Sequence, residues 1–184
     1  MGKLVLFMVT SVDGYFEGQD HDISWHMVDD EFNDFAVKQL KEFRALLFGR
    51  RTYQLMVSWW PTVTAEKDDP VVAGLMNSAE KYVFSHTLQT AAWENTTLVK
   101  DEADAFVRNL KARNDKDIAI FGSNNFCVSL MGADLVDEFR IMTCPVAIGT
   151  GLPLFSGLAK RENFIRGNVR EFSNGNVLVT YQKA

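Results

Sequence analysis

The stretch Ala45-Leu46-Leu47-Phe48-Gly49-Arg50-Arg51-Thr52-Tyr53 decides the fold. Four apolar residues read as a buried strand, and the chain leaves it through a glycine turn carrying two guanidinium groups and a hydroxyl. At the start of a helix, such an exit suits phosphate. Arginine donors take oxygens in pairs, and the helix N-terminus adds peptide N–H groups. Two further apolar runs end similarly: Tyr82-Val83-Phe84 opens into Ser85-His86, and Ile118-Ala119-Ile120-Phe121 opens into Gly122-Ser123-Asn124-Asn125. With these strands as parallel neighbours, all three exits share the sheet edge where open α/β proteins bind ligands. The pattern points to an anionic cofactor.

Working outward, Leu4–Val9 reads as the first buried strand, followed by a polar excursion through Asp13-Gly14 and Glu17-Gly18-Gln19-Asp20. From Asp29 to Arg44, Phe32, Phe35, Ala36, Leu40 and Phe43 recur near helical period, with acids in the first turn and Lys41 and Arg44 late, an order that complements a helix dipole. A short helix over Thr52–Ser58 runs into Trp59-Trp60-Pro61, where proline stops it. Thr62 to Asp69 reads as a polar connection. The spacing then predicts a helix at Pro70–Ser78, strands at Lys81–Phe84 and Thr97–Val99, a helix at Glu102–Ala112, a strand at Asp117–Phe121 and a helix at Asn124–Met131. This alternation favours a largely parallel central sheet in an α/β fold. The last third differs. Glu138–Thr143 is β-like, Pro145–Gly157 is a loop, and Asn163–Phe172 and Val177–Gln182 flank Ser173-Asn174-Gly175-Asn176, a hairpin signal. Antiparallel strands therefore finish one edge.

At 184 residues and 47% hydrophobic, the chain suits one domain, 1–184, with no internal repeat or linker. A net charge of −5 argues against nucleic acid as a partner. Cys127 and Cys144 lie in apolar segments without paired spacing, which fits buried thiols in the cytoplasm. No segment approaches a membrane span, and Leu4–Val9 is too short for a signal-peptide core. His21, His26 and His86 are too scattered for zinc, so no metal site is expected. No nucleophile elbow is present, and hydrolysis has no support.

Each motif also has a plainer use. Arg50 and Arg51 can simply solvate a turn, Ser123 or Asn124 can cap a helix, and Ser85-His86 can be a turn and nothing more. Their order along the chain carries more weight. Ser11-Val12-Asp13-Gly14-Tyr15 after the first strand, Trp25 followed by Asp30, Gly49-Arg50-Arg51-Thr52-Tyr53, Phe84-Ser85, Ile120-Phe121-Gly122-Ser123, Leu135 to Arg140, and Pro145 to Phe155 form an ordered set. Across nearly the whole chain that set resembles the dihydrofolate reductase-like family. The nearer branch is similar to the C-terminal reductase domain of the bifunctional riboflavin-biosynthesis deaminase/reductase.

The resemblance implies a dihydrofolate reductase-like three-layer fold and an oxidoreductase that takes hydride from NADPH. It would act on a small heterocycle, a pteridine-like or aminopyrimidine compound. It implies that Gly49, Arg50, Arg51, Thr52, Ser85 and His86 surround the 2′-phosphate and adjoining phosphates. Gly122, Ser123, Asn124 and Asn125 would follow the pyrophosphate, with Val12 to Gly18 a loop over the nicotinamide. Trp25 and Asp30 keep the tryptophan-to-carboxylate interval of the pterin site, which implies that Asp30 is a buried acid. Asp13 competes with it, because riboflavin-type domains carry an aspartate-glycine pair at this turn. The family's paired glycines of the cofactor loop are Phe121-Gly122 here, a departure. The alternative is a non-catalytic nucleotide-binding or sensor protein that kept the dinucleotide cleft. The antiparallel tail and the loop Pro145–Phe155 suggest a homodimer.

Overall fold

The computed structural model describes residues 1–113 and 115–184. Its centre is an eight-stranded sheet, named here in chain order: β1 (Leu4–Ser11), β3 (Phe43–Gly49), β4 (Glu80–Phe84), β5 (Thr96–Val99), β6 (Asp117–Ile120), β7 (Glu138–Cys144), β9 (Phe164–Glu171) and β10 (Val177–Lys183). A two-stranded ribbon of β2 (Tyr15–Glu17) and β8 (Leu152–Pro153) stands apart. The sheet order is β5-β4-β3-β6-β1-β7-β10-β9. The first six strands in that order are mutually parallel, and β10 runs antiparallel to both β7 and β9. The expected parallel core with an antiparallel hairpin at one edge is therefore what forms.

The helices are α1 (Asp30–Glu42), α2 (Arg50–Trp59), α3 (Val63–Asp68), α4 (Pro70–Ser78), α5 (Ala103–Arg113) and α6 (Asn124–Gly132). Strand alternation distributes them into two outer layers. Ala45 and Leu47 of β3 join Leu4, Leu6, Ile118 and Ile120 in a core with Val107 of α5 and Leu130 of α6. Leu46 and Phe48 point the other way, to Tyr53 of α2, Val72 and Met76 of α4, and the flank of α1. Phe35 of α1, Met142, Phe172 and Leu178 form a third cluster under the hairpin. The layers are helix, sheet, helix.

Among the differences from the sequence reading, three have clear physical reasons. Helix α1 stops at Glu42 because Phe43 is already extended, pairs with Asp117 and sets its ring 6.3 Å from that of Phe121. Helix α2 begins at Arg50, so both arginines belong to its first turn instead of the turn before it. The polar connection after Trp60 holds α3, started by the Thr62 hydroxyl, which accepts the Ala65 N–H at 3.2 Å. At the next junction Lys81 is buried. Its ammonium donates to the carbonyls of Met76, Asn77 and Ala79 at the end of α4, and burial lowers its pKa to about 8.

Candidate active site

Parallel strands send their carboxyl ends to one edge, and there the exits of β3 and β6 meet. The Gly49 N–H donates to the Gly122 carbonyl at 3.0 Å. The two turns touch so closely that a Cβ on Gly49 would lie 2.4 Å from Ser123 Oγ, and one on Gly122 2.7 Å from Thr52 Oγ1. Gly122 also has φ +111°, a conformation that glycine adopts without strain. The Gly122–Ser123 peptide is cis. Glycine at both turns lets two helix starts lie side by side.

Neither start is finished by a side chain. Gly49 precedes α2 and Ser123 precedes α6, and no side chain among the described residues bonds the first-turn N–H groups as a cap. Two bare helix N-termini side by side form a concentrated set of peptide donors and positive dipole ends. Arg51 extends this edge into an open cleft of about 280 Å³, whose other walls are Glu17 to His21 and Thr150, Gly151 and Leu152. Arg50 points elsewhere, its guanidinium donating to Gln54 Oε1 at 3.2 Å along the exposed face of α2. The adjacent arginines thus diverge, and only Arg51 lines the cleft.

The remaining cofactor candidates divide. Thr52 sits against Gly122, and Asn125 is exposed at the start of α6. Asn124 is 1% exposed and turns inward, its amide donating to the carbonyls of Pro153 (3.2 Å) and Leu154 (2.5 Å), so it braces β8 instead of facing the cleft. Ser85 Oγ accepts the N–H groups of Thr87 and Leu88 and thereby closes its own turn, while His86 is exposed beside it. Gly18 lines the cleft and donates its N–H to Asp22 O. Val12 is exposed, with its N–H on Val146 O at 2.8 Å.

The two acid candidates occupy unlike settings. Asp30 opens α1 and is exposed, which departs from the buried acid that the resemblance implies. Its neighbour Asp29 accepts the Phe32 N–H as the cap, and Glu31 accepts from Ser173 and Arg170 of the hairpin. Of three consecutive acids, two have structural partners, an assignment that their sequence does not distinguish. Asp13 receives three donors: the Ser11 hydroxyl (2.6 Å), and the N–H groups of Ile148 (3.2 Å) and Gly149 (2.8 Å). The Ser11 and Gly149 bonds hold its carboxyl below the ordinary range.

Trp25 is half-buried, its indole N–H on Asp22 O at 3.1 Å and its ring edge-on to His26 at 4.4 Å. His26 went unassigned from the sequence beyond its exclusion as a zinc ligand. Burial pushes its pKa down to about 4, so the imidazole is neutral, and Nε2 has no hydrogen-bond partner among the described residues. No group of three or more His, Cys, Asp or Glu among the described residues could hold a metal ion. No helix among them is long and apolar enough to cross a membrane.

Residues 2–178 match the family described as the RibD C-terminal domain. The chain is 30% identical over 181 residues to the uncharacterized protein YyaP of Bacillus subtilis, covering 97% of this chain and 94% of the relative. A solved structure from Shewanella sp. PV-4, provisionally assigned to riboflavin biosynthesis, superposes with TM-score 0.78 at 22% identity over 99% of each chain. A dihydrofolate reductase from Enterococcus faecalis, solved with NADP(H) and the compound RAB-propyl, superposes with TM-score 0.63 at 15% identity, covering 99% of this chain and 96% of that one. The fold is dihydrofolate reductase-like, a helix-sheet-helix sandwich with an antiparallel edge.

Proposed function

We propose a function from one premise, that this chain belongs to the RibD C-terminal domain family and shares its reductase character: it is an NADPH-dependent reductase of a pteridine-like or aminopyrimidine substrate. The observation that carries the reading is the pair of uncapped helix starts at Gly49 and Ser123, packed without room for a Cβ at Gly49 or Gly122. Peptide N–H groups left without side-chain caps at two adjacent dipole ends suit a diphosphate, and Arg51 adds a fixed positive charge on the cleft side. The solved Enterococcus dihydrofolate reductase that shares the fold holds NADP(H), which supports the same cofactor here.

The chemistry supplied by a bound nicotinamide cofactor is hydride transfer. This chain's part is to hold the phosphates at α2 and α6, to shape the cleft with Glu17 to His21 and residues 150–152, and to provide a proton source. Thr52 packs against Gly122 and keeps the two phosphate-side turns together. Gly18, with Val12 at the base of the same loop, covers the nicotinamide side. On this reading Ser85 and His86 would adjoin the adenosine phosphate, Arg50 would reach it only by leaving Gln54, and Asn125 with the backbone of Asn124 would continue the α6 turn. Trp25 forms part of the heterocycle's wall. Asp30 is the proposed acid, because Asp13 is committed to three donors that favour its ionised form. On this reading the protein is a cytoplasmic homodimer. Its two cysteines are buried thiols, and the edge strand, β9, leaves Ile165 and Val169 exposed.

The exposure of Asp30 favours a second reading, a non-catalytic nucleotide-binding or sensor protein that kept the cleft. One experiment separates the two: NADPH consumption by the purified protein with pterins and aminouracils, repeated with Asp30→Asn. Turnover that falls roughly 100-fold or more in the variant, the scale of a lost general acid, supports the reductase. NADPH that binds and is never oxidised leaves the sensor.

A further inference from the structure

We propose that Asp13 is a positioning residue for this cleft: a latch that fixes residues 148–152 as one wall and so sets cofactor affinity, without giving up a proton in the reaction. The inference rests on the reductase reading but turns on geometry that does not depend on it. Asp13 and Gly149 lie 136 residues apart, yet the carboxylate bridges the β1 exit turn to the loop after β7. Oδ1 takes the Ser11 hydroxyl and the Ile148 N–H, and Oδ2 takes the Gly149 N–H. Backbone bonds flank the latch on both sides: Val12 N–H to Val146 O at 2.8 Å, and Leu154 N–H to Gly14 O at 3.1 Å.

The latched loop leads straight into the cleft. Thr150, Gly151 and Leu152 line it together with residues 17–21 and Arg51. Gly151 approaches the facing strand so closely that a Cβ would lie 2.1 Å from Glu17 O, and Glu17 pairs with Leu152 across the β2–β8 ribbon. A wall seated this tightly moves as a unit with its anchor, and the anchor is the pair of N–H groups on Asp13. Aspartate suits the task because both oxygens accept; an amide in its place turns one acceptor into a donor against an N–H. A carboxylate receiving three donors also resists protonation, so it is a poor acid near neutral pH.

The test uses Asp13→Ala and Asp13→Asn in the full chain, with Ser11→Ala as a milder variant that removes one donor. Three quantities are read: hydrogen exchange at the Ile148 and Gly149 amides, NADPH affinity measured without turnover, and the pH profile of turnover. The latch predicts faster exchange at both amides and affinity weakened roughly 10-fold in Asp13→Ala, the scale of lost hydrogen bonds to a charged group. Asp13→Asn falls between, since its carbonyl still accepts, and the shape of the pH profile is unchanged. Unchanged exchange, unchanged affinity, or loss of one limb of the pH profile overturns the latch. Wild-type protein that binds no NADPH ends the cofactor reading whatever the variants do. Variants that bind as well as a binding wild type defeat the latch alone.

Discussion

The starts of α1, α3 and α4 contrast with those of α2 and α6. Asp29 caps α1, Thr62 caps α3 and Asp69 caps α4, each through a side-chain oxygen that accepts an N–H of the first turn. The starts of α2 and α6 carry glycine and an unengaged serine instead, and they face one another at the carboxyl edge of the sheet. A side-chain cap contributes about 1 kcal/mol over alanine but only a few tenths over glycine, so leaving these two starts bare costs little stability and keeps their N–H groups open. The bare pair coincides with the Gly49–Gly122 contact and adjoins the cleft that Arg51 lines, which makes it the part of the edge best suited to a ligand that completes the helices.

The largest expected effect breaks the bare pair directly. Gly122→Ala forces a side chain onto φ +111° and against Thr52 Oγ1, at a cost of about 2–3 kcal/mol in stability. By separating the two helix starts it also lowers NADPH affinity roughly 100-fold. Thermal melts and fluorescence titration check both. A variant that melts lower but binds normally would dissociate the turn from the ligand. Asp69→Ala is its counterpart on a capped helix, with the smallest effect: about 1 kcal/mol of stability is lost as the Val72 N–H loses its acceptor, and affinity is unchanged. Equal effects of the two variants on affinity would erase the distinction between the two kinds of helix start.

Between these lies a pH effect at His26, away from both kinds of helix start. The folded pKa of His26 is pushed down to about 4 from 6.5 by burial. Between those values the unfolded chain binds a proton that the folded chain does not, so stability rises with pH across the window and is lost on acidification. The expected loss from pH 7 to pH 4 is on the order of 2–3 kcal/mol, and His26→Phe flattens this part of the profile. Denaturant unfolding at several pH values measures it. An equal slope in the variant would assign the acid sensitivity to other groups.

The sheet was legible because its signals are local. Leu4–Val9, Ala45–Phe48 and Ile118–Ile120 are short apolar runs with polar exits, and Asn174-Gly175 marks the hairpin. Gly49 and Gly122 were readable as turn residues, and their mutual contact follows from β3 and β6 being neighbours. What escaped depends on partners far along the chain. Nothing near Asp13 announces Ile148 and Gly149, and nothing near Asn124 announces the carbonyls of Pro153 and Leu154. Asp29, Asp30 and Glu31 look interchangeable in sequence; the structure distinguishes them by capping α1 with Asp29 and engaging Glu31 through Ser173 and Arg170 of the hairpin. His26 shows no local pattern, since its lowered pKa is a property of burial. Helix α3 was hidden in a polar stretch where a single buried alanine, Ala65, gives too weak a periodicity.

On the function proposed above, the paired helix starts and Arg51 bind the phosphates of NADPH. The direct measurement is a tryptophan-fluorescence titration of the purified protein with NADPH and with NADH, repeated on Arg51→Ala. The account predicts saturable binding that favours NADPH, weakened roughly 10- to 100-fold in the variant, the scale of a lost charged hydrogen-bond donor. No saturable binding of either nucleotide, or identical binding by the variant, would contradict it.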